Sequence, residues 1–337
     1  MKRILSLTTL IISVTASFGE PLEFTWPTPN DAYAMGKGPQ GYILAREAGN
    51  ADSGQFGCTL NQGMLFHDGL DLKPLQRDWM DEPTDPVRAI LPGIVRYINR
   101  DRYKSEWGLY VVVEHNTLEP KLLSVYSHLR NIPYELAEDQ MVEEGQVIGT
   151  LGRSTPDGSL SKSEAHLHFE VALRLADTFP GWHSRHQEAG PNRNGVWNPR
   201  NLLAIDFLDL VGKLKMGDQD NIRDYLLMQP IAVSIKVQSL KTPDFIRRYP
   251  ELIGEELNQG ESHGWQINFN GYGVPIAWRT LTREEVVVMG PNVTEVVYHD
   301  PSELMDYPCY ELVEANWQGQ VVPGPRLLEI VSILFNL

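Results

Sequence analysis

Basic residues are scarce in this sequence relative to acidic ones. The 337 residues include 29 Lys and Arg against 44 Asp and Glu, which gives a formal net charge of −15 at pH 7. An acidic surface repels phosphate, so this charge argues against a nucleic-acid partner. It argues equally against electrostatic capture by anionic membranes or anionic wall polymers.

Cysteine is also scarce, since only Cys58 and Cys309 are present. The N-terminal segment contains no lipobox cysteine, which argues against a lipoprotein. An oxidising compartment would permit a disulfide between the two cysteines, which would join two distant parts of the chain. We expect instead two unpaired, buried thiols, because sequence alone does not bring their Cα atoms within bonding range.

Long apolar runs are missing outside the N-terminus. There, a basic Lys-Arg start precedes an apolar run over residues 4–18, which is shorter than the roughly 20 residues of a membrane span. Ser17 and Gly19 are small residues that suit signal cleavage. We therefore predict a signal peptide over residues 1–19 rather than a retained anchor. The mature protein is expected to be secreted or periplasmic, without stable membrane insertion.

The length suits two domains. Residues 20–51 are rich in Pro, Gly and polar residues and are expected to form an extended leader with loose structure. We predict a first domain over residues 52–212 and a smaller α+β domain over residues 213–337. We find no internal repeat, and the second domain carries no recognisable chemical motif.

Short apolar runs rich in β-branched and aromatic residues recur between turn signals in the first domain. Their brief length and composition favour strands, and no long helical pattern separates them. The prediction is a mainly β fold, an antiparallel sandwich or barrel-like domain. The predicted strands are 93–98, 109–115, 122–128, 146–152 and 166–173, with 231–240, 264–269 and 274–281 in the tail. Helices are predicted over 242–253 and from Arg326 to the C-terminus.

A set of histidines and one aspartate carries the chemistry. His166 and His168 alternate with apolar residues in HLHFEV, so a strand would present both imidazoles on one face. His67 and Asp71 in FHDGLD are four residues apart, which also allows a shared face. Two imidazoles and one carboxylate leave a fourth tetrahedral position for water, the arrangement of catalytic zinc sites.

Each motif has an ordinary structural interpretation. A lone HxxxD is common, and one HxH can be two surface histidines. The conjunction of both with His128, in VYSHL at the end of another strand, is much harder to obtain by chance.

The ordered blocks FHDGLD, PVRAILPGIV, WGLYVVVEH, VYSHL, MVEEGQVIGTLGRS, HLHFEV and NGVWNPRNLL resemble the lysostaphin-type (LytM-type) zinc endopeptidases of peptidoglycan. The resemblance runs from about residue 54 to 203 and does not include the tail. It implies one zinc ion held by His67, Asp71 and His168. It also implies two catalytic, non-ligand histidines, His128 and His166, either of which is a candidate general base.

The resemblance implies an exported zinc metalloendopeptidase that hydrolyses peptide bonds in peptidoglycan stems or cross-bridges. Two alternatives stay open: a non-catalytic wall-binding or regulatory module that activates another hydrolase, and a zinc peptidase that acts on proteins. Segments 73–85 and 174–190 are longer than the family usually carries, and we expect them to rim the cleft.

Several other residues receive weaker predictions. His115 is expected to be a structural or surface imidazole, and His183 and His186 a solvated surface pair. Glu170 is either a partner of a ligand histidine or a solvent-facing carboxylate. Two further sets are Trp79, Trp107 and Trp182, which are either groove or core residues, and Gly145 and Gly149, expected at positive φ.

Overall fold

A computed structural model describes most of the chain. The described residues are 22–48, 50, 52–186, 190–219, 221–253, 262–289 and 293–337. The predicted signal peptide, residues 1–19, lies outside them. Within these ranges, no helix combines the length and the apolar character that a bilayer crossing requires.

The N-terminal two thirds of the described chain consists mainly of antiparallel strands. The strands are β1 (Gly57–Leu60), β2 (Leu65–His67), β3 (Leu70–Leu72), β4 (Pro86–Arg88), β5 (Gly93–Asn99), β6 (Tyr110–His115), β7 (Leu122–Ser127), β8 (Met141–Val142), β9 (Val147–Thr150), β10 (Leu167–Arg174) and β11 (Leu202–Ile205). The largest sheet has the strand order β11-β10-β7-β6-β5-β8, with β3 paired to β10, while β1 pairs with β2 and β4 with β9. The predicted mainly β, antiparallel class is confirmed.

Strand β10 is the central element of this part. One edge pairs with β7, and the other edge pairs first with β3 and then with β11. Phe169, Val171 and Leu173 are fully buried in the main hydrophobic core. Because side chains alternate along a strand, His168 and Glu170 face the opposite side of the sheet.

The segment predicted to be a loose leader is packed against the sheet. The Trp26 ring stacks on Tyr33 with centroids 4.7 Å apart. The Leu44 N–H donates to the Asp71 carbonyl at 2.7 Å, and Ile43 forms a β-bridge with Leu72. Aromatic packing and added strand pairing therefore order residues that their Pro and Gly content suggested would be loose.

The tail is a mixture of helices and strands, which confirms the predicted α+β class. Its strands are β12 (Val233–Val237), β13 (Gly264–Phe269), β14 (Pro275–Leu281), β15 (Thr294–His299), β16 (Val313–Ala315) and β17 (Val321–Pro323). Its main sheet has the order β14-β13-β12-β15, and β16 pairs with β17. The helices of the described chain are α1 (Phe179–Arg185), α2 (Phe207–Met216), α3 (Ile222–Leu227), α4 (Asp244–Arg248), α5 (Arg283–Val288), α6 (Pro301–Met305) and α7 (Pro325–Phe335).

A disulfide joins the tail to the first sheet. Cys58 in β1 bonds to Cys309, with their Cα atoms 5.7 Å apart, so the expectation of two unpaired thiols is wrong. Neighbouring aromatic rings pack across the same junction, with Phe66 and Tyr310 centroids 4.2 Å apart. This aromatic packing brings the two cysteines together, and it leaves no pattern in the sequence.

Residues 174–190 do not rim the cleft as predicted, as far as the structure describes them. Helix α1 lies in this segment, and its Trp182 is buried. The Trp182 Nε1–H donates to Ser332 Oγ at 2.8 Å, and the Arg185 guanidinium donates to Asn336 Oδ1 at 2.6 Å. The segment therefore docks against the C-terminal helix α7.

Candidate metal centre

Asp71 and His168 meet through strand register. The pairing of β3 with β10 places them directly opposite one another, and opposed residues on adjacent strands project from the same face. The Asp71 Oδ1 atom lies 3.0 Å from His168 Nδ1. Asp71 is fully buried and His168 nearly so.

His67 reaches the same point from the end of β2. Its Nε2 lies 3.0 Å from His168 Nδ1 and 3.2 Å from Asp71 Oδ1. The link to β3 turns at Gly69, where a Cβ atom would lie 2.5 Å from the Phe169 carbonyl oxygen. One nitrogen or oxygen from each of His67, Asp71 and His168 lies within 4.8 Å of the others. Such a group is compact enough to share one ion.

His67 and His168 each have a second ring nitrogen that faces away from Asp71, and each of these nitrogens has a protein acceptor. His67 Nδ1 lies 2.9 Å from the Gln55 carbonyl oxygen, and His168 Nε2 lies 2.6 Å from Glu170 Oε1. In the tautomers that donate to these acceptors, His67 Nε2 and His168 Nδ1 keep their lone pairs toward Asp71. Two such imidazoles with a carboxylate fit zinc, since ligand histidines usually donate their other N–H in this way.

His128 and His166 lie beside this group. Their ring centroids are 4.9 Å apart, and His166 Nε2 lies 3.4 Å from Asp71 Oδ1. His128 Nδ1 is 2.9 Å from the Ser154 carbonyl oxygen, and His166 Nδ1 is 2.6 Å from the Glu164 carbonyl oxygen. Donation to these carbonyls leaves Nε2 of both rings unprotonated.

The backbone at His128 is strained. Its φ of 57° lies in the left-handed region, which costs a non-glycine residue energy and often marks a functional site. The His128 N–H donates to the Trp107 carbonyl at 2.9 Å, which helps to hold this conformation. This left-handed residue turns the chain directly after β7, at the point where the His128 imidazole approaches the candidate ligands.

Burial and neighbouring charge set the protonation of the group. Burial raises the pKa of Asp71, but the adjacent His166 and His67 outweigh it and hold that pKa well below its usual range. The pKa of His166 falls to about 4, chiefly through burial, against the opposing effect of Asp71. Burial also lowers the pKa of His128 well below its ordinary value. An ionised carboxylate therefore faces two neutral imidazoles at neutral pH.

A cleft of about 490 Å³ adjoins the group. Its walls come from both parts of the chain: Trp107 and Glu170 lie on one side, and Tyr310 and Arg326 belong to the tail. The Trp107 ring centroid is 6.2 Å from that of His168. The tail, which carries no motif of its own, thus contributes directly to the surroundings of the candidate metal site.

The three tryptophans have different environments. Trp107 lines the cleft, Trp79 is 92% exposed in segment 73–85, and Trp182 is buried beneath the tail. Of the two glycines expected at positive φ, Gly145 has a φ of 73°. Gly149 lies in β9 instead and has no positive φ. A Cβ atom at this position would lie 3.0 Å from Leu129 Cδ1.

Of the remaining histidines, His115 fits its prediction, and His183 and His186 do not. His115 is structural: it is fully buried, with Nε2 2.8 Å from Ser124 Oγ. The expected solvated pair is wrong, because His183 is buried on α1 and His186 stacks on Trp182 with centroids 4.5 Å apart. Glu170 is the buried partner of His168 and not a solvent-facing carboxylate.

Sequence reasoning missed one charged residue of the site. Arg46 Nη1 lies 2.8 Å from Asp71 Oδ2 and 3.2 Å from His166 Nε2. It stands outside every recognised motif, in the segment expected to be loose. Nothing in its local sequence signals the contact, which depends on the bridge between Ile43 and Leu72.

Residues 66–179 match the family model described as peptidase family M23. This segment, about a third of the chain, is similar to peptidase family M23. The matched segment includes all five residues of the predicted constellation and ends before the tail. Among curated proteins, none matches the sequence.

Solved structures similar to the chain include several peptidases. A zinc-containing peptidase from Vibrio cholerae is 24% identical over 45% of this chain and 37% of its own, with a TM-score of 0.29. The catalytic domain of lysostaphin from Staphylococcus simulans is 19% identical over 47% of this chain and 87% of its own, with a TM-score of 0.28. The catalytic domain of a mutant of the prophage-encoded M23 protein EnpA from Enterococcus faecalis is 22% identical over 35% of this chain and 75% of its own, with a TM-score of 0.27.

Proposed function

We propose that the protein is an exported zinc metalloendopeptidase that hydrolyses peptide bonds in the stems or cross-bridges of peptidoglycan. The observation that carries the proposal is the convergence of His67, Asp71 and His168 with two neutral imidazoles beside them. The M23 match supports a peptidase, and the donor set supports zinc.

The proposed ligands are His67 Nε2, one oxygen of Asp71 and His168 Nδ1. When bound, zinc would supply a Lewis acid that polarises the scissile carbonyl and lowers the pKa of a water molecule. The protein residues orient the ligands beforehand, through the Gln55 carbonyl and the Glu170 carboxylate.

We assign the general base to His128. The Arg46 guanidinium donates toward Nε2 of His166, whereas no described residue donates to Nε2 of His128. His128 would accept a proton from the attacking water and pass it to the leaving amine nitrogen as the C–N bond breaks. His166 is the second proposed catalytic histidine, and its Nε2 accepts from the Arg46 guanidinium.

Peptidoglycan peptides are the proposed substrate, and the cell envelope the proposed location. The support is the M23 match together with the signal-like N-terminus of the sequence. We retain residues 52–212 as the proposed peptidase domain and residues 213–337 as a separate domain whose Tyr310 and Arg326 reach the cleft.

The direct test incubates purified sacculi with the zinc-loaded protein and identifies the products by mass spectrometry. New amino and carboxyl termini are expected in the muropeptides, and they should disappear on chelation and return with added zinc. His128→Ala and His166→Ala should each reduce product formation by at least about 100-fold, the scale of general acid–base catalysis. His186→Ala is the matched control, because this imidazole stacks on Trp182 away from the site.

Cleavage that survives both chelation and His168→Ala would refute the metal mechanism. Digestion of casein but not of sacculi would favour a peptidase that acts on proteins. Intact sacculi, together with activation of a second wall hydrolase, would favour the non-catalytic module.

A further inference from the structure

The carboxylate of Asp71 is divided between two environments. Its Oδ1 faces the metal centre, 3.0 Å from His168 Nδ1 and 3.2 Å from His67 Nε2. Its Oδ2 faces away and accepts a hydrogen bond from Arg46 Nη1 at 2.8 Å. One oxygen is thus directed at the proposed zinc position, while the other is already engaged.

Backbone hydrogen bonds tie the segment that carries Arg46 both to the strand of Asp71 and to the nearby residues Ser53 and Gly54. The Asp71 carbonyl accepts from Leu44 N–H at 2.7 Å, and the Asp71 N–H donates to the Gly54 carbonyl at 2.8 Å. Between these two contacts, the Arg46 N–H donates to the Ser53 carbonyl at 3.0 Å. The segment therefore brackets Asp71 and delivers the guanidinium to its outer oxygen.

The electrostatics favour a persistent pair. The Asp71 carboxylate is fully buried, and the Arg46 side chain is 27% exposed. A buried carboxylate requires a compensating charge or hydrogen bonds. Among the described residues, Arg46 supplies the only Lys or Arg ion pair that Asp71 makes.

We propose that Arg46 is a positioning residue of the candidate metal centre. By holding Oδ2, it restricts Asp71 to coordination through one oxygen, so the second oxygen does not occupy a further position on the metal. A position then stays open for water and substrate, as a catalytic zinc site requires. This inference rests on the proposed zinc chemistry, and Arg46 lies outside the segment that matches the family.

The test compares wild type with Arg46→Ala and Arg46→Lys in cobalt-substituted protein. Four-coordinate Co²⁺ absorbs visible light more strongly than Co²⁺ of higher coordination number. Arg46→Ala should therefore bind Co²⁺ stoichiometrically but with weaker absorption, because Asp71 is free to coordinate through both oxygens. Arg46→Lys keeps a cationic donor and should recover most of the wild-type intensity. Arg102→Ala is the control, since Arg102 contacts Tyr103 at the surface.

With zinc, Arg46→Ala should lower kcat by about 10- to 100-fold with little change in KM, the usual scale for residues behind a metal ligand. Thermal unfolding of the metal-free variants shows whether they fold. A merely structural ion pair would lower the unfolding midpoint and leave the cobalt spectrum unchanged, and that result overturns the inference. If wild type binds neither metal, the proposed function fails as well.

Discussion

His168 Nε2 lies 2.6 Å from Glu170 Oε1, and both side chains are buried on the same face of β10. Donation to this carboxylate selects the imidazole tautomer whose unprotonated Nδ1 faces the candidate metal site, and it would make that nitrogen a stronger ligand for the proposed zinc ion.

Glu170→Gln should weaken zinc binding by about 10- to 100-fold, because a neutral amide replaces the charged acceptor behind His168. Competition with a chromophoric chelator measures the dissociation constant. Glu135→Gln alters an exposed carboxylate and serves as the control. Equal zinc affinity in Glu170→Gln and wild type would show that this contact does not support the ligand.

Gly54→Ala should destabilise the protein by about 2 kcal/mol, because the φ of Gly54 is +111° and a Cβ atom would lie 2.3 Å from the Leu44 carbonyl oxygen. Urea unfolding of the metal-free protein measures the loss. Gly212→Ala, in α2 with open space around it, should be neutral or slightly stabilising. If Gly54→Ala had the same free energy of unfolding as wild type, the segment would have adapted to the new side chain without strain.

His115 should make stability depend on pH. Burial lowers its pKa from 6.5 to about 4, so between these values the unfolded chain binds a proton that the folded chain does not. Stability is fully present above about pH 6.5 and falls as the pH drops toward 4. As the pH falls across this range, the free energy of unfolding of His115→Gln should decrease by about 3 kcal/mol less than that of wild type.

Urea unfolding of wild type and His115→Gln at pH 7, 5.5 and 4.5 measures the difference. The other titrating groups are common to both proteins, so their effects cancel. If the free energy of unfolding changed equally with pH in the two proteins, a buried, neutral His115 would be contradicted.

The disulfide should contribute to stability by joining residues 251 positions apart. The double variant Cys58→Ser, Cys309→Ser should unfold at lower denaturant, with a loss of about 2–5 kcal/mol. Wild type treated with a reductant should behave like this variant. Identical unfolding of wild type with and without reductant would contradict a bond between the two cysteines.

The candidate site was predictable where its signal is local. The alternation in HLHFEV places His166 and His168 on one face whatever the sheet around them, and FHDGLD keeps His67 near Asp71. Contacts to Arg46, and to main-chain carbonyls such as that of Gln55, depend on tertiary packing and leave no sequence pattern.

The tail was less predictable because its helices are short and its docking is non-local. Helix α2 (Phe207–Met216) spans the predicted boundary at residue 212, although Asp206 caps its start and Gly217 its end. The predicted helix over 242–253 is instead α4 followed by a separate turn at Pro250–Leu252. Proline at position 250 disfavours helical backbone at Tyr249, which accounts for the break.

The most direct measurement of the central claim is the zinc content of the purified protein. After dialysis against excess zinc and removal of free metal, elemental analysis should find about one zinc ion per chain. Asp71→Ala and His168→Ala should each lose it, while Asp78→Ala, which alters a residue in segment 73–85, retains it. Folded wild-type protein without zinc, or equal zinc in all four proteins, would contradict the account.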